Sequence, residues 1–232
     1  MRLAKQHLDI AMFTRDVERH HRFWEDQVGL RFDLELPVRK GWVQHRFDAH
    51  NSVIKVNDYT DPMVQTPPTG YIGLTIARDN GPVWEGVHPD GGRVRLVPKG
   101  TDGVVGIGIT VATPNPSRMM EFYVDAMEFE RVSPSIARCG DTLLFVERGT
   151  GGVETEDFKG PGPGYRYLTI QVFDADRDTD GILARGGRLA SAPTNYGTIA
   201  RVSFVKDPDG NWIEVSARAP LTGVVPGADK PA

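Results

Sequence analysis

Residues 7–13 and 105–111 alternate apolar with polar side chains at period two, the pattern of strands with one face buried. After the second stretch, Asn115 offers a helix cap and Pro116 suits a first helical position. Met120, Tyr123, Val124 and Met127 then recur at helical spacing. After the first stretch, Asp16 is the candidate cap and Val17, Trp24 and Val28 carry the apolar stripe. Gly29 can end that helix in a left-handed conformation. Strand-like runs follow at 32–38, 42–47 and 52–56. Near the C-terminus, Asp207-Pro208-Asp209-Gly210 predicts a tight turn, since Pro sets φ, Asp bonds its own backbone and Gly accepts positive φ. It joins 202–205 to 212–215 as a hairpin.

These elements recur. Leu8-Asp9-Ile10-Ala11-Met12 maps onto Ile107-Gly108-Ile109-Thr110-Val111 at an offset of 99, which also superposes Phe23-Trp24 on Phe122-Tyr123 and Asp26 on Asp125. Tyr71-Ile72-Gly73-Leu74-Thr75-Ile76 resembles Tyr167-Leu168-Thr169-Ile170-Gln171-Val172, and His88-Pro89-Asp90-Gly91 resembles Asp207-Pro208-Asp209-Gly210. The chain therefore divides into halves, 1–100 and 103–218, each of two smaller modules, with 219–232 a loose Pro- and Gly-rich tail. Each module reads strand-helix-strand-strand-strand, except the second, where 76–88 has no room for a full helix.

Composition changes this picture little. The 232 residues are 39% hydrophobic and 25% charged, enough for a sizeable core, and the net charge of −4 argues against nucleic-acid binding. No run approaches a membrane span, and the N-terminus lacks the apolar core of a signal peptide. Cys139 stands alone, which excludes an intrachain disulfide and a cysteine-based zinc cluster. The expectation is a cytoplasmic protein with a small-molecule ligand and no nucleic-acid or membrane partner, with assembly as a homodimer left open.

The repeated module, the helix phrase RMMEFYVDAMEFE and the closing phrase SFVKDPDGNWIEV resemble the vicinal oxygen chelate (VOC) superfamily over about residues 5–217. That group includes glyoxalase I, epimerases, bleomycin and fosfomycin resistance proteins and extradiol dioxygenases. The resemblance implies an α+β fold of four βαβββ modules, the second degenerate, forming two curled mixed sheets around cavities. It also implies metal ligands early in a module's first strand and in the middle of its last. Carried over, these positions are His7 and Lys55, Tyr71 and Arg95, Gly106 and Phe145, and Tyr167 and Glu214. Only His7 and Glu214 are ordinary ligands, and Lys55 and Arg95 would repel a cation. The expectation is one divalent metal (Fe, Mn, Zn or Ni) if the triad assembles, with the missing ligands favouring none. Pairing of modules one-two and three-four leaves no triad. Pairing of one with four would bring His7, Tyr167 and Glu214 together.

Candidate roles follow from alternation. His7 and Asp9 share a face that should look into the cavity, as does Glu214 between Ile213 and Val215. An unpaired carboxylate there would titrate upward and serve as a general base, whereas an ion pair with Arg201 or Lys206 would make it structural. Tyr167 could donate to an oxyanion, and His7 could ligate a metal or shuttle a proton. Substrate contacts are expected from Tyr71, His45, Tyr196, Arg201 and Lys55. His45 shares a face with Val43 and Phe47, opposite Trp42, Gln44 and Arg46. His20 and His21 read as structural, His88 as a solvated turn residue, and the Gly-rich stretch 148–164 as a flexible loop able to cover a cavity.

Three functional readings remain at this point. The first is an enzyme acting on a small aromatic or enolisable keto compound by lyase, isomerase or dioxygenase-like chemistry. The second is a metal-free drug-sequestering protein of the bleomycin-resistance type, and the third a paralogue that binds nothing.

Overall fold

The computed structural model describes residues 1–60, 66–156 and 164–224. Module one runs β1 (Asp9–Thr14), α1 (Val17–His21), a π-helical turn (Arg22–Gln27), β2 (Arg31–Arg39), β3 (Trp42–Ala49) and β4 (Ser52–Tyr59). Module two contains strands alone, β5 (Tyr71–Arg78), β6 (Trp84–Val87) and β7 (Arg93–Pro98). Module three repeats the first with β8 (Ile107–Thr113), α2 (Pro116–Glu121), a π-helical turn (Phe122–Ala126), β9 (Glu130–Ser133), β10 (Ile136–Cys139) and β11 (Thr142–Arg148). Module four holds β12 (Tyr167–Gln171), α3 (Ala175–Ala184), β13 (Arg188–Tyr196), β14 (Ala200–Lys206) and β15 (Trp212–Arg218).

Caps start the helices where local chemistry requires. Asp16, Asn115 and Asp174 each accept a hydrogen bond from the backbone N–H three residues on, at 3.0–3.2 Å. The Asp207 turn closes as expected, with Gly210 at φ +84° and Asp207 Oδ1 accepting from the N–H groups of Asp209 and Asn211.

The modules assemble into two mixed sheets of eight and seven strands. Their orders are β13-β14-β15-β12-β1-β4-β3-β2 and β6-β7-β5-β8-β11-β10-β9. β1 pairs antiparallel with β12 and β5 antiparallel with β8, so module one joins four and module two joins three. Of the two pairings open to the sequence, the structure takes the one that joins module one to four and so crosses both sequence halves. The first strands of all four modules present chemically equivalent edges, so the choice falls to long-range packing. The chain ahead of β1 helps to set it: Ala4 N–H donates to Gln171 O in module four, and Gln6 O accepts from Asp141 N–H in module three.

Ile10, Met12, Ile54, Ile170 and Val215 of the larger sheet share one core with Leu74, Ile109 and Leu144 of the smaller. Burying these faces supplies most of the drive to assemble. The opposite face of the larger sheet is left to line a cavity. Of the expected tail, residues 219–222 form a short helix, α4 (Ala219–Thr222), closed by Gly223 at φ +74°, and 225–232 lie outside the described residues. Of the Gly-rich stretch, 157–163 lie outside the described residues. The described part is pinned, with Glu154 accepting from Arg188 and Lys206, and Gly152 lying against Asn211.

Candidate functional site

The larger sheet encloses a cavity of about 630 Å³. Its floor comes from the middles of β4, β12 and β15, and its walls from β2, β3, β13 and β14. Alternation decides each face. Trp42, Gln44 and Arg46 of β3 look inward, as do Lys55 of β4, Tyr167 of β12, Ala200, Val202 and Phe204 of β14, and Glu214, Ser216 and Arg218 of β15. Arg39, Tyr196 and Asn195 stand at the margin, with Tyr196 43% exposed. The lining carries four cations, Arg39, Arg46, Lys55 and Arg218, against the single carboxylate of Glu214. That excess favours an anionic ligand, and Trp42, Tyr167 and Phe204 provide flat apolar walls.

A polar network crosses the floor. Lys55 Nζ donates to Thr169 Oγ1 at 2.6 Å and to Glu214 Oε2 at 3.1 Å, while Thr169 Oγ1 donates to the same Glu214 oxygen at 2.9 Å. The Lys55 ammonium also lies 5.7 Å from the centre of the Tyr167 ring. Its side chain is 4% exposed, and burial holds its pKa below the usual lysine value against the opposing pull of Glu214 and Asp9. Burial pushes the Tyr167 phenol well up, aided by the Glu214 charge, so Tyr167 keeps its proton as a hydrogen-bond donor. Asn57 Nδ2 approaches the Tyr167 hydroxyl at 3.4 Å. Beneath the floor, Asp9 is fully buried. Its Oδ1 accepts from Lys5 Nζ at 2.6 Å and from Val53 N–H at 2.8 Å, whereas its Oδ2 is buried without a hydrogen-bond partner. Burial alone would raise the Asp9 pKa, but the charges of Lys5 and Lys55 hold it below the usual carboxylate value.

The family model for Glyoxalase/Bleomycin resistance protein/Dioxygenase superfamily matches residues 107–215. Residues 107–215 therefore form a domain of that superfamily. The whole fold is also similar to solved members. Glyoxalase I from Zea mays superposes with a TM-score of 0.68 at 15% identity, over 91% of this chain and 92% of that one. A protein from Bacillus subtilis subsp. subtilis str. 168, assigned provisionally as a dioxygenase, superposes with a TM-score of 0.63 at 13% identity, over 94% and 86%. No protein of curated function matches the chain in sequence. Among the described residues, no helix is long and apolar enough to cross a membrane.

Superfamily modules commonly hold a divalent metal, so the residues at the corresponding positions decide whether this cavity fits one. The helix caps set the correspondence. Seven residues before Asp16, Asn115 and Asp174 stand Asp9, Gly108 and Tyr167. The first-strand position of module one is therefore Asp9, and the assignment of His7 and Gly106 is two residues too early. The four corners in the larger sheet are Asp9, Lys55, Tyr167 and Glu214. They do not fit a divalent ion, because the Lys55 ammonium already stands among them, bonded to Glu214 and drawn by Asp9. At ~4 Å and an effective dielectric of ~20, it would oppose a doubly charged ion by about 8 kcal/mol. In the smaller sheet Phe145 fills the equivalent space: a Cβ on Gly108 would lie 2.6 Å from its ring.

Other expected site residues fall elsewhere. His7 lies in a bend ahead of β1, bonded through Nδ1 to Asp141 Oδ1 at 2.6 Å, and joins modules one and three away from the cavity. His45 projects to the opposite face, with Nδ1 3.0 Å from His21 Nε2. Tyr71 is buried between the sheets, its hydroxyl 3.3 Å from those of Tyr123 and from Trp212 O. Arg201 faces the helix layer and forks onto Asp176, and Lys206 pairs with Glu154, so neither reaches Glu214. Lys55, Tyr167, Glu214 and Tyr196 do meet at the cavity. Arg39, Arg46, Arg218 and Trp42 also line the cavity and were not among the expected site residues, although alternation already placed Trp42, Gln44 and Arg46 on one face.

His88 is buried, contrary to its reading as a solvated turn residue, because the turn folds under α1. His20, His88 and Asp90 form the one cluster among the described residues with three convergent metal-ligating groups. His20 Nε2 already bonds Asp90 Oδ2 at 2.6 Å and its Nδ1 accepts from Trp24 Nε1, an arrangement that ties the helix to the β-hairpin.

Proposed function

We propose that this chain is an enzyme that binds a small oxygenated organic anion in the larger sheet's cavity and moves a proton on it. Glu214 is the base, sharing its oxygen with Lys55 and Thr169 until a ligand enters. Lys55 and Tyr167 supply an ammonium and a phenol to the oxygen on which negative charge develops, as in enolate formation. Arg46, Arg218 and Arg39 hold the ligand's carboxylate or phenolate, and Trp42 and Phe204 hold an aromatic or apolar body. The observation that carries the reading is the buried Lys55–Glu214 pair on the floor of a cationic, aromatic-walled cavity. Reactions that fit are lyase or isomerase steps through an enolate on an aromatic or 2-oxo compound.

Phenylpyruvate in D₂O, followed by NMR, tests it. The wild type should speed exchange at C3 above the uncatalysed rate, and Glu214→Gln should remove about 10²–10⁴-fold of that gain. Exchange that Glu214→Gln leaves intact would overturn the assignment of the base. A second reading, metal-free sequestration of the bleomycin-resistance kind, draws support from the engagement of Glu214 by Lys55. It predicts stoichiometric binding without exchange, little altered by Glu214→Gln.

A further inference from the structure

We infer that the Lys55 ammonium stands in place of the metal ion, as a tethered cation to which the ligand's oxygen binds. The pseudo-twofold relation between modules one and four carries the argument. β1 and β12 pair antiparallel, with Asp9 opposite Thr169 and Ala11 opposite Tyr167. β4 and β15 flank them in the parallel sense, with Lys55 beside Ala11 and Glu214 beside Thr169. Asp9 and Tyr167 are equivalent by their distance from the caps and Lys55 and Glu214 by strand register, and these four side chains project from one face. Three of them carry oxygen. The fourth, Lys55, reaches across to Thr169 Oγ1 and Glu214 Oε2 on the partner module.

An ammonium has three donors. Two are spent on Thr169 and Glu214, and the side chain lines the cavity, so the third can meet a ligand oxygen. A metal would offer two adjacent open positions to vicinal oxygens. A lysine offers one positive point, with Arg46 and Arg218 beside it for a second oxygen. The ligand class is therefore a small oxyanion with neighbouring oxygens, such as a 2-oxo or 2-hydroxy carboxylate. The carboxylate of Asp9, with its bare Oδ2, remains as the remnant of a ligand set and balances the ammonium from below.

Two titrations test this on full-length, chelator-treated protein. With Mn²⁺, the wild type should bind nothing that Glu214→Gln removes. Lys55→Glu, which adds a third carboxylate to those of Asp9 and Glu214, should bind about one equivalent at least ~100-fold more tightly and gain thermal stability with it. A folded Lys55→Glu variant that binds Mn²⁺ no better than wild type would overturn the inference, as would wild-type binding that depends on Glu214. Should Lys55→Glu fail to fold, Lys55→Gln carries the test with oxalate. Its affinity should fall at least ~10-fold from wild type, and an unchanged affinity overturns the proposal. The inference rests on the cavity being the ligand site, but neither readout needs turnover. Acquired Mn²⁺ binding without deuterium exchange would defeat only the catalytic reading.

Discussion

Removing either end of the Lys55–Glu214 pair should cost more than removing both. The nitrogen and oxygen lie 3.1 Å apart, on side chains 4% and 13% exposed. At an effective dielectric of ~20 their attraction amounts to roughly 5 kcal/mol. Not all of that is lost in either single variant. In Glu214→Gln the ammonium keeps Thr169 and the charge of Asp9, and in Lys55→Met the carboxylate keeps the field of Arg218. Each single substitution is therefore expected to destabilise by about 3 kcal/mol, the lower end for a broken buried pair. The double variant, with no uncompensated charge from the pair, should lie within ~1–2 kcal/mol of wild type. The coupling energy should thus reach about 4–5 kcal/mol. Guanidinium unfolding of all four proteins measures it, provided the m-values agree. A coupling below about 0.5 kcal/mol, the range of exposed pairs, would refute the reasoning. Solvent would then screen the pair, and Lys55 would not be held among the corner residues.

Two further expectations concern the frame around the site. Burial first, then the neighbouring His20, depress the His88 pKa from 6.5 to about 3. The unfolded chain thus binds a proton that the folded one refuses. The stability this group confers is present above pH 6.5 and is lost as pH falls towards 3, by about 3 kcal/mol at pH 4. Urea unfolding at pH 7 and pH 4 should show a smaller acid loss in His88→Phe, and an equal loss would remove His88 as the cause. Gly140 has φ +60°, and a Cβ there would lie 2.2 Å from Gln6 O. Gly140→Ala should therefore lower stability by at least ~2–3 kcal/mol through backbone strain and a displaced inter-module contact, and a change in Tm of less than ~2 °C would contradict this.

Local chemistry settled much of this protein in advance. Period-two alternation, the caps at Asp16 and Asn115 and the Asp207 turn marked strands, helices and a hairpin, because those signals act through the backbone within a few residues. The internal repeat exposed the modules, alternation aimed Glu214 into a cavity, and the family resemblance set Tyr167 and Lys55 at matching positions. What alternation could not supply was register against a distant strand. A shift of two residues along β1 keeps the same face, so His7 and Asp9 looked interchangeable. Only the pairing of Asp9 with Thr169 separates the corner residue from one that bonds Asp141 instead.

Alternation likewise divided β3 into two faces without saying which was inward, and Arg46 faces the cavity where His45 does not. The pairing of module one with module four was equally beyond local reading. Four equivalent strand edges compete, and the winner depends on how two whole sheets bury their apolar faces together. That tertiary choice places a lysine from one end of the chain against a glutamate from the other, 159 residues apart, and so makes the site.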